Sequence, residues 1–359
     1  MSKSVLFTFE LEPGMITAAD VYTPTGQLLV PDNTLLDNST IQKLRMYNIT
    51  NVSILDEPAY SPDNNPVQMT YSERIKASEE FVQFKEDYLT SIDGYKNVIN
   101  EVVRQNLPID TSSLLNQTTS LIMPSSTGLH IFDMLHNMRE FDDSTYTHCI
   151  NVALISRVLA QWLHMSNEDI EVATLAGLLH DIGKLTVPEE ILLKPGALTP
   201  DEYSVIKRHA NDGYSYLKNQ DIDPRIKEAC LFHHERCDGS GYPFGLSGDK
   251  IPVFARIVAI ADVYDAMTAT RVYRGPLCPF SVVRFFEYEG YSKYDTHFII
   301  TFLENVVSSY INTTVRLNNG QVGEVILINK QALSRPMIKC GNEFIDLTKR
   351  PDLEIESII

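Results

Sequence analysis

Two stretches, Asp169–His180 (DIEVATLAGLLH) and Pro252–Ala269 (PVFARIVAIADVYDAMTA), decide the fold class. Both are far longer than an ordinary strand of about 5–6 residues, and neither alternates with a period of two. They read as helices. Outward from them, from about 128 to 312, further helical segments follow one another with proline and glycine between, and no strand-like alternation occurs. The chain is expected to be mainly α.

Both flanks differ from this middle. Thr314–Leu317 and Gln321–Ile328 surround Asn318-Asn319-Gly320, and Asn-Gly is the strongest short hairpin signal. Pro336–Lys339 and Glu343–Leu347 repeat that logic around Gly341-Asn342, so residues 313–359 read as a small β module. Asp352–Glu356 reads as a solvated terminus. At the other end, Val21-Tyr22 and Leu28–Val30 read as strands about a Pro/Gly turn, Thr40–Tyr47 as a short helix and Val52–Leu55 as a strand. Residues 1–56 thus form a small α+β module. Residues 57–70, with three prolines and two adjacent asparagines, have linker composition. Residues 71–124 are a helical connector with a stripe at Val82, Tyr88, Ile92, Tyr95, Ile99 and Val102, which serves either a dimer seam or packing on its own domain. Thr111–Thr127 holds a turn or short helix, with Asp110 as its cap. The central helical domain is 125–312.

Composition narrows the function classes. The 359 residues carry a net charge of −17, which argues against a nucleic-acid or anionic-membrane surface. A small anion held by metals and a few local cations remains compatible with it. Five scattered cysteines supply neither a disulfide framework nor a CxxC knuckle. No apolar run reaches the roughly 20 residues of a bilayer span, and the N-terminus has no long apolar segment. A cytoplasmic protein is expected.

The helical middle holds the chemistry. His148, His180-Asp181, His209 and His233-His234 fall at or near the ends of apolar segments, and Asp262 and Asp265 share one face of a helix. A lone histidine on an apolar face is usually a satisfied core residue; adjacent His-Asp and His-His pairs each need buried partners. A shared metal cluster would satisfy them together. Imidazoles and carboxylates without a thiolate set suit Fe, Mn, Zn, Co or Ni rather than Ca or an iron–sulfur cluster. The ligands exceed what one tetrahedral ion takes, so two ions are expected. His130 and His136 have no evident partners in the sequence.

His180-Asp181-Ile182-Gly183-Lys184 resembles the HDIGK core of the HD superfamily of metal-dependent phosphohydrolases. HHERCDGSGYP, His233 to Pro243, resembles the HHExxDGxGYP signature of its HD-GYP branch, and ADVYDAMT, Ala261 to Thr268, resembles the branch's ADxxDAMT helix. The resemblance covers about half the chain. It implies an all-helical domain that hydrolyses cyclic di-GMP to linear pGpG, and in some members onward to GMP, by a metal-bridged hydroxide attacking phosphorus as the 3′ oxygen leaves. It also implies two divalent ions, iron or manganese by preference. His148, His180, Asp181 and Asp262 would hold one ion; His209, His233 and His234 would hold the other, with Asp181 bridging. Lys184, four residues after His180 and on the same helical face, would contact the scissile phosphate, and Asp265 would support the ligands or handle protons. Arg271, Arg274 and Tyr242 would contact the ligand. The Gly-Tyr-Pro loop either docks a partner such as a diguanylate cyclase domain or braces the metal helices.

One departure concerns a third ion. Relatives that bind one carry a glutamate four residues before the first histidine ligand, where this chain has Ser144. Two ions are favoured, and the step from pGpG to GMP is put in doubt. Two alternatives stay open beside cyclic di-GMP hydrolysis: turnover of another cyclic dinucleotide such as 3′,3′-cyclic GMP-AMP, and a cyclic-dinucleotide-binding or redox-sensing module with little turnover. Cys149 and Cys237 read as small buried residues.

Overall fold

The computed structural model describes residues 3–23, 26, 28–36, 38–47, 49–55, 71–122, 128–138, 145–194, 196–269 and 277–359. The chain divides into two compact units, Met1–Met69 with Ser125–His130, and Thr70–Pro124 with Ile131–Ile359.

The first unit contains β1 (Lys3–Phe7), β2 (Val21–Tyr22), β3 (Leu28–Val30), α1 (Asn38–Met46) and β4 (Asn51–Leu55). β1 pairs antiparallel with β4, and β2 with β3. Its core gathers Leu11, Leu29, Val30, Leu36, Ile41, Leu44, Val52 and Ile54. This matches the α+β reading.

In the larger unit, α2 (Tyr71–Ala77) and the long α3 (Glu79–Gln105) precede α4 (Thr111–Thr119), followed by α5 (Gly128–Met138), which begins in the first unit's segment. Then come α6 (Thr145–Trp162), α7 (Asn167–Leu179), a 3-10 turn at Ile182–Thr186, α8 (Glu189–Leu192), α9 (Pro200–Lys207), α10 (His209–Leu217) and α11 (Pro224–Phe232). The helical part closes with α12 (Val253–Thr268), α13 (Pro279–Phe285), a π-turn at Phe286–Gly290, α14 (Tyr291–Lys293) and α15 (Thr296–Ser309). Side-chain caps begin several of these helices. Ser78 accepts from Phe81 N at 3.1 Å, Ser166 from Asp169 N at 3.2 Å, and Thr199 with Glu202 forms a reciprocal capping box. Each such cap contributes about 1 kcal/mol. α6, α7 and α12 are buried on nearly all sides, which is why their sequences lack a clear polar face.

The connector stripe packs inward on this same core. Phe81, Phe84, Tyr88, Ile92, Tyr95, Ile99 and Val102 are buried, whereas Val82 is exposed. The seam therefore starts one residue earlier than the sequence spacing predicted, because Ser78 ends α2 and restarts the helix. The stripe is spent on its own unit and is not a free dimer seam.

Five antiparallel strands finish the chain: β5 (Thr314–Leu317), β6 (Val322–Leu327), β7 (Met337–Cys340), β8 (Glu343–Asp346) and β9 (Ile355–Ile358), in the order β8-β7-β6-β5-β9. Gly320, at φ +84°, makes the expected turn between β5 and β6. The acidic end is not a solvated terminus. Leu353 and Ile355 are buried, β9 pairs with β5, and Glu354 forms an ion pair with Arg284 of α13. Alternation of acid and apolar residues there is an edge-strand pattern, with the apolar set turned inward. Glu287 ties the sheet to the helices by accepting from Leu333 N at 2.6 Å and Ser334 N at 3.2 Å. Among the described residues, no helix is long and apolar enough to cross a membrane.

Candidate metal centre

Three histidines share one local design. His180 follows the last residue of α7, His233 follows the last residue of α11, and His209 stands just beyond the end of α9. Each points Nδ1 at the carbonyl three residues back: Gly177 at 2.6 Å, Cys230 at 2.8 Å and Ile206 at 2.7 Å. Carbonyls of a helix's last turn lack full intrahelical partners, so each imidazole caps its own helix. A carbonyl only accepts, so Nδ1 carries the proton and Nε2 keeps a lone pair. The result is three rigid imidazoles whose Nε2 atoms converge.

His148 of α6 is held differently. Its Nδ1 lies 2.7 Å from Asp265 Oδ2 and its Nε2 lies 3.1 Å from Asp262 Oδ1, both carboxylates from α12. Burial opposes a charge on this ring, but the bonds to Asp262 and Asp265 push its pKa up to about 9. The other side shows the reverse. Burial pushes His234 down to about 3, and burial with neighbouring imidazoles holds His233 well below the usual histidine value; burial also lowers His209. Those rings are neutral at pH 7, the form a metal requires.

Asp181 sits between the two groups. Its Oδ2 lies 3.3 Å from His180 Nε2 and 3.6 Å from His148 Nε2; its Oδ1 lies 3.3 Å from His209 Nε2 and 3.8 Å from His233 Nε2. Burial resists ionisation of this carboxyl, yet His180 and Lys184 hold it well below the ordinary range. Asp262 is likewise held low against burial by His148 and His234. Two donor sets result: His148, His180 and Asp262; and Asp181, His209, His233 and His234.

The donors fit divalent cations on their own chemistry. Asp181 Oδ1 and His180 Nε2 are fully buried without a hydrogen-bond partner, a costly arrangement in an interior. His209 Nε2 and His233 Nε2 face each other at 3.3 Å, and both rings already spend their proton on a carbonyl. Two neutral lone pairs so placed repel, and a cation held between them and Asp181 would remove the repulsion. Cys149 lies beside His180 and Asp181, but burial and the Asp181 charge push its thiol up, so it stays protonated and is a weak donor.

Lys184 approaches by a route other than the one expected. It does not share a helical face with His180, because α7 ends and the 3-10 turn intervenes. Its Nζ lies 2.5 Å from Asp181 Oδ2, and its side chain stays 22% exposed. Burial opposes its charge, while Asp181 and Asp262 raise its pKa, so it remains an ammonium. Gly183 makes the turn possible: a Cβ there would lie 2.0 Å from the His209 carbonyl oxygen.

The Gly-Tyr-Pro loop closes the imidazole side. The Tyr242 ring stacks on His234 with centroids 4.6 Å apart, and Lys207 lies 5.7 Å above that ring. Gly241 is required by close approach, since a Cβ would come within 2.4 Å of Glu235 Cα. Sequence reasoning gave no role to Glu235, yet this buried carboxylate accepts from Phe244 N at 2.8 Å and Leu246 N at 2.9 Å. It also passed over Asn151, whose amide donates to Asp265 Oδ1 at 3.0 Å. For Asn151 the signal was its spacing, three residues after His148 and so on the same helical face.

Other expected residues stand elsewhere. Arg271, Arg274 and Ser144 lie outside the described residues, as do residues 57–70 and the His130 side chain. His136 contacts the Tyr310 ring, away from the cluster. Cys149 is buried as expected, while Cys237 is half-buried.

Comparison with known proteins follows this geometry. The HD domain family model matches residues 114–297. A cyclic di-GMP phosphodiesterase of Pseudomonas aeruginosa is 34% identical over 241 residues, covering 66% of this chain and 57% of that protein. A cyclic di-GMP phosphodiesterase of Thermotoga maritima is 42% identical over 150 residues, 41% of this chain and 40% of that protein. A 3′3′-cGAMP-specific phosphodiesterase of Vibrio cholerae is 43% identical over 145 residues, 40% of this chain and 34% of that protein. The chain spans less than two thirds of each of these relatives. By the family match and its HHERCDGSGYP segment, the chain belongs to the HD domain family, in its HD-GYP branch.

Proposed function

We propose that this protein is a metal-dependent phosphodiesterase that opens cyclic di-GMP to linear pGpG. The observation that carries the reading is Asp181, whose two oxygens each face one histidine set while Lys184 stands 2.5 Å away. His148, His180 and Asp262 would hold one divalent ion and His209, His233 and His234 the other, with Asp181 shared. Two such ions, iron or manganese by preference, would supply an activated water and neutralise phosphate charge.

The chain's own residues then divide the remaining work. Lys184, kept charged beside Asp181, offers an ammonium to a non-bridging phosphate oxygen, where negative charge grows as the phosphodiester opens. Its partial exposure lets it reach a ligand without leaving Asp181. Burial and the neighbouring Tyr203 push the Tyr242 hydroxyl up, so it stays protonated and can donate to a ligand. Asp265 holds His148 by its Nδ1 and leaves Nε2 directed at the centre. Arg271 and Arg274 follow α12 in the chain and complete the proposed anion contacts. The net charge of −17 gives no long-range attraction for a dianion, so affinity should depend on loaded metal. The division into a catalytic domain at 125–312 with flanking modules, a homodimer, and a cyclase partner on the Gly-Tyr-Pro loop belong to this same reading.

The relative specific for 3′3′-cGAMP matches a similar length of the chain at a similar identity to the Thermotoga maritima cyclic di-GMP enzyme, so the test runs both substrates. Protein purified without oxygen is assayed for metal by elemental analysis and for product by ion-exchange chromatography. Two ions per chain with pGpG as the end product is the expected result. Faster cleavage of cyclic GMP-AMP would reassign the substrate. Metal-loaded protein that binds either dinucleotide without cleaving it would replace the enzyme with a binding module.

A further inference from the structure

A line of buried hydrogen bonds leaves the metal centre and ends on a helix outside the matched family region. Asp265 Oδ2 holds His148 Nδ1 at 2.7 Å, and Asp265 Oδ1 accepts from Asn151 Nδ2 at 3.0 Å. Asn151 Oδ1 in turn accepts from the hydroxyl of Tyr88. Tyr88 belongs to α3, before the matched residues 114–297, and is buried against Phe84 with ring centroids 5.5 Å apart.

We infer that Tyr88 is a positioning residue for the metal centre, acting through Asn151 and Asp265 on His148. The reasoning is one of donors and acceptors. A carboxylate only accepts, so Asn151 must present its NH2 to Asp265. An amide has two nearly isosteric orientations, and a flipped Asn151 would set its oxygen against the carboxylate. Asp265 thus selects the amide orientation, and the Tyr88 hydroxyl, by donating to the amide oxygen, anchors Asn151 in it. Asp265 then keeps a donor on Oδ1, its plane is fixed, and Oδ2 remains on His148 Nδ1. His148 Nε2 is aimed at the centre as a result. Without the hydroxyl, Asn151 and Asp265 lose their common orientation, and the His148 ring gains freedom that metal binding must remove. Support of this kind is worth about 10–100-fold in metal affinity. The helix bearing Tyr88 is therefore coupled to the site, so a displacement of α3 would be read there as a change in metal affinity.

This inference rests on the metal reading above, and the test separates the two. Manganese affinity is measured by chelator competition in the full chain, alongside the Mn(II) resonance spectrum and thermal unfolding of the metal-free form. Tyr88→Phe keeps the packed ring and removes only the donor. Tyr216→Phe is the control, because its hydroxyl also ties a neighbouring helix to α3, by a 2.9 Å bond to Val102 O, but lies off this line. Expected is a loss of about tenfold in affinity for one ion in Tyr88→Phe, an altered Mn(II) spectrum, and little change of either in Tyr216→Phe. Asn151→Leu should produce the same loss, and the double variant should add little to it. Wild-type affinity in Tyr88→Phe, equal losses in Tyr88→Phe and Tyr216→Phe, or full additivity with Asn151→Leu would overturn the inference while leaving the metal site intact. A wild-type chain that binds no manganese or iron would overturn the metal site itself, and this inference with it.

Discussion

The two halves of the centre solve one problem in opposite ways. On the His148 side, charge is stabilised by charge: one imidazole lies between two carboxylates of α12, and its pKa is raised to about 9. On the His209–His233–His234 side, charge is excluded: burial keeps the rings neutral, and two of them rest on helix-end carbonyls. The comparison teaches that an imidazole can be oriented by a carboxylate, which favours its charged form, or fixed by a backbone carbonyl in a dry pocket, where burial keeps it neutral. Asp181 belongs to both halves, one oxygen to each.

The largest expected effect comes from breaking that shared residue. Asp181→Asn replaces one oxygen by a donor and removes the charge that both halves use. Bound metal should fall on both sides, and the proposed phosphodiesterase turnover should drop by on the order of 10³-fold or more. Loss of only one ion, read by elemental analysis, would mean that the halves are independent.

A smaller effect, which separates the halves directly, is the pH dependence of the metal-free protein. Burial pushes His234 from the ordinary histidine value of 6.5 down to about 3 in the folded state. Its unfolded form therefore takes up the proton first, and the stability it contributes is present above pH 6.5 and lost as pH falls toward 3. His148 is raised from 6.5 to about 9, so its contribution is complete below pH 6.5 and lost as pH rises through 9. Thermal unfolding of the apo-protein across this range should show a maximum between the two limbs. His148→Gln should flatten the alkaline limb and leave the acid limb in place. A curve insensitive to that substitution would remove the asymmetry from the account.

The smallest effect concerns the loop that covers the imidazole half. Glu235→Gln turns one of two accepting oxygens into a donor facing the amide of Phe244 or Leu246, a loss of about 1–3 kcal/mol. Tm should fall by a few degrees, and KM should rise more than kcat falls, because Tyr242 is displaced while the His148 half is untouched. A kcat loss with unchanged KM would assign Glu235 to the chemistry instead.

Much of this centre was legible as residue types. Paired His-Asp and His-His at the ends of apolar segments are hard to explain as separate core residues, and Asp262 and Asp265 needed only the helical period to share a face. Lys184 was legible by its place in HDIGK, although spacing implied a helix continuing through Gly183, where the backbone instead tightens against His209. The Asp352–Glu356 segment misled for a related reason. Its acids are conspicuous, but Leu353 and Ile355 between them are buried, and that burial depends on β9 pairing with β5 and joining the core that α13 also enters.

The sequence by itself determined the imidazole and carboxylate chemistry of the centre, the helical class of the middle and the hairpins that follow it, because those depend on residue type and local period. Tertiary structure alone decided which oxygen of Asp181 faces which histidines, that Glu235 braces its loop, and that Tyr88 joins the centre across 63 residues of chain to Asn151. Such relations depend on distances between elements remote in sequence, and only packing of α3, α6 and α12 into one core sets those distances.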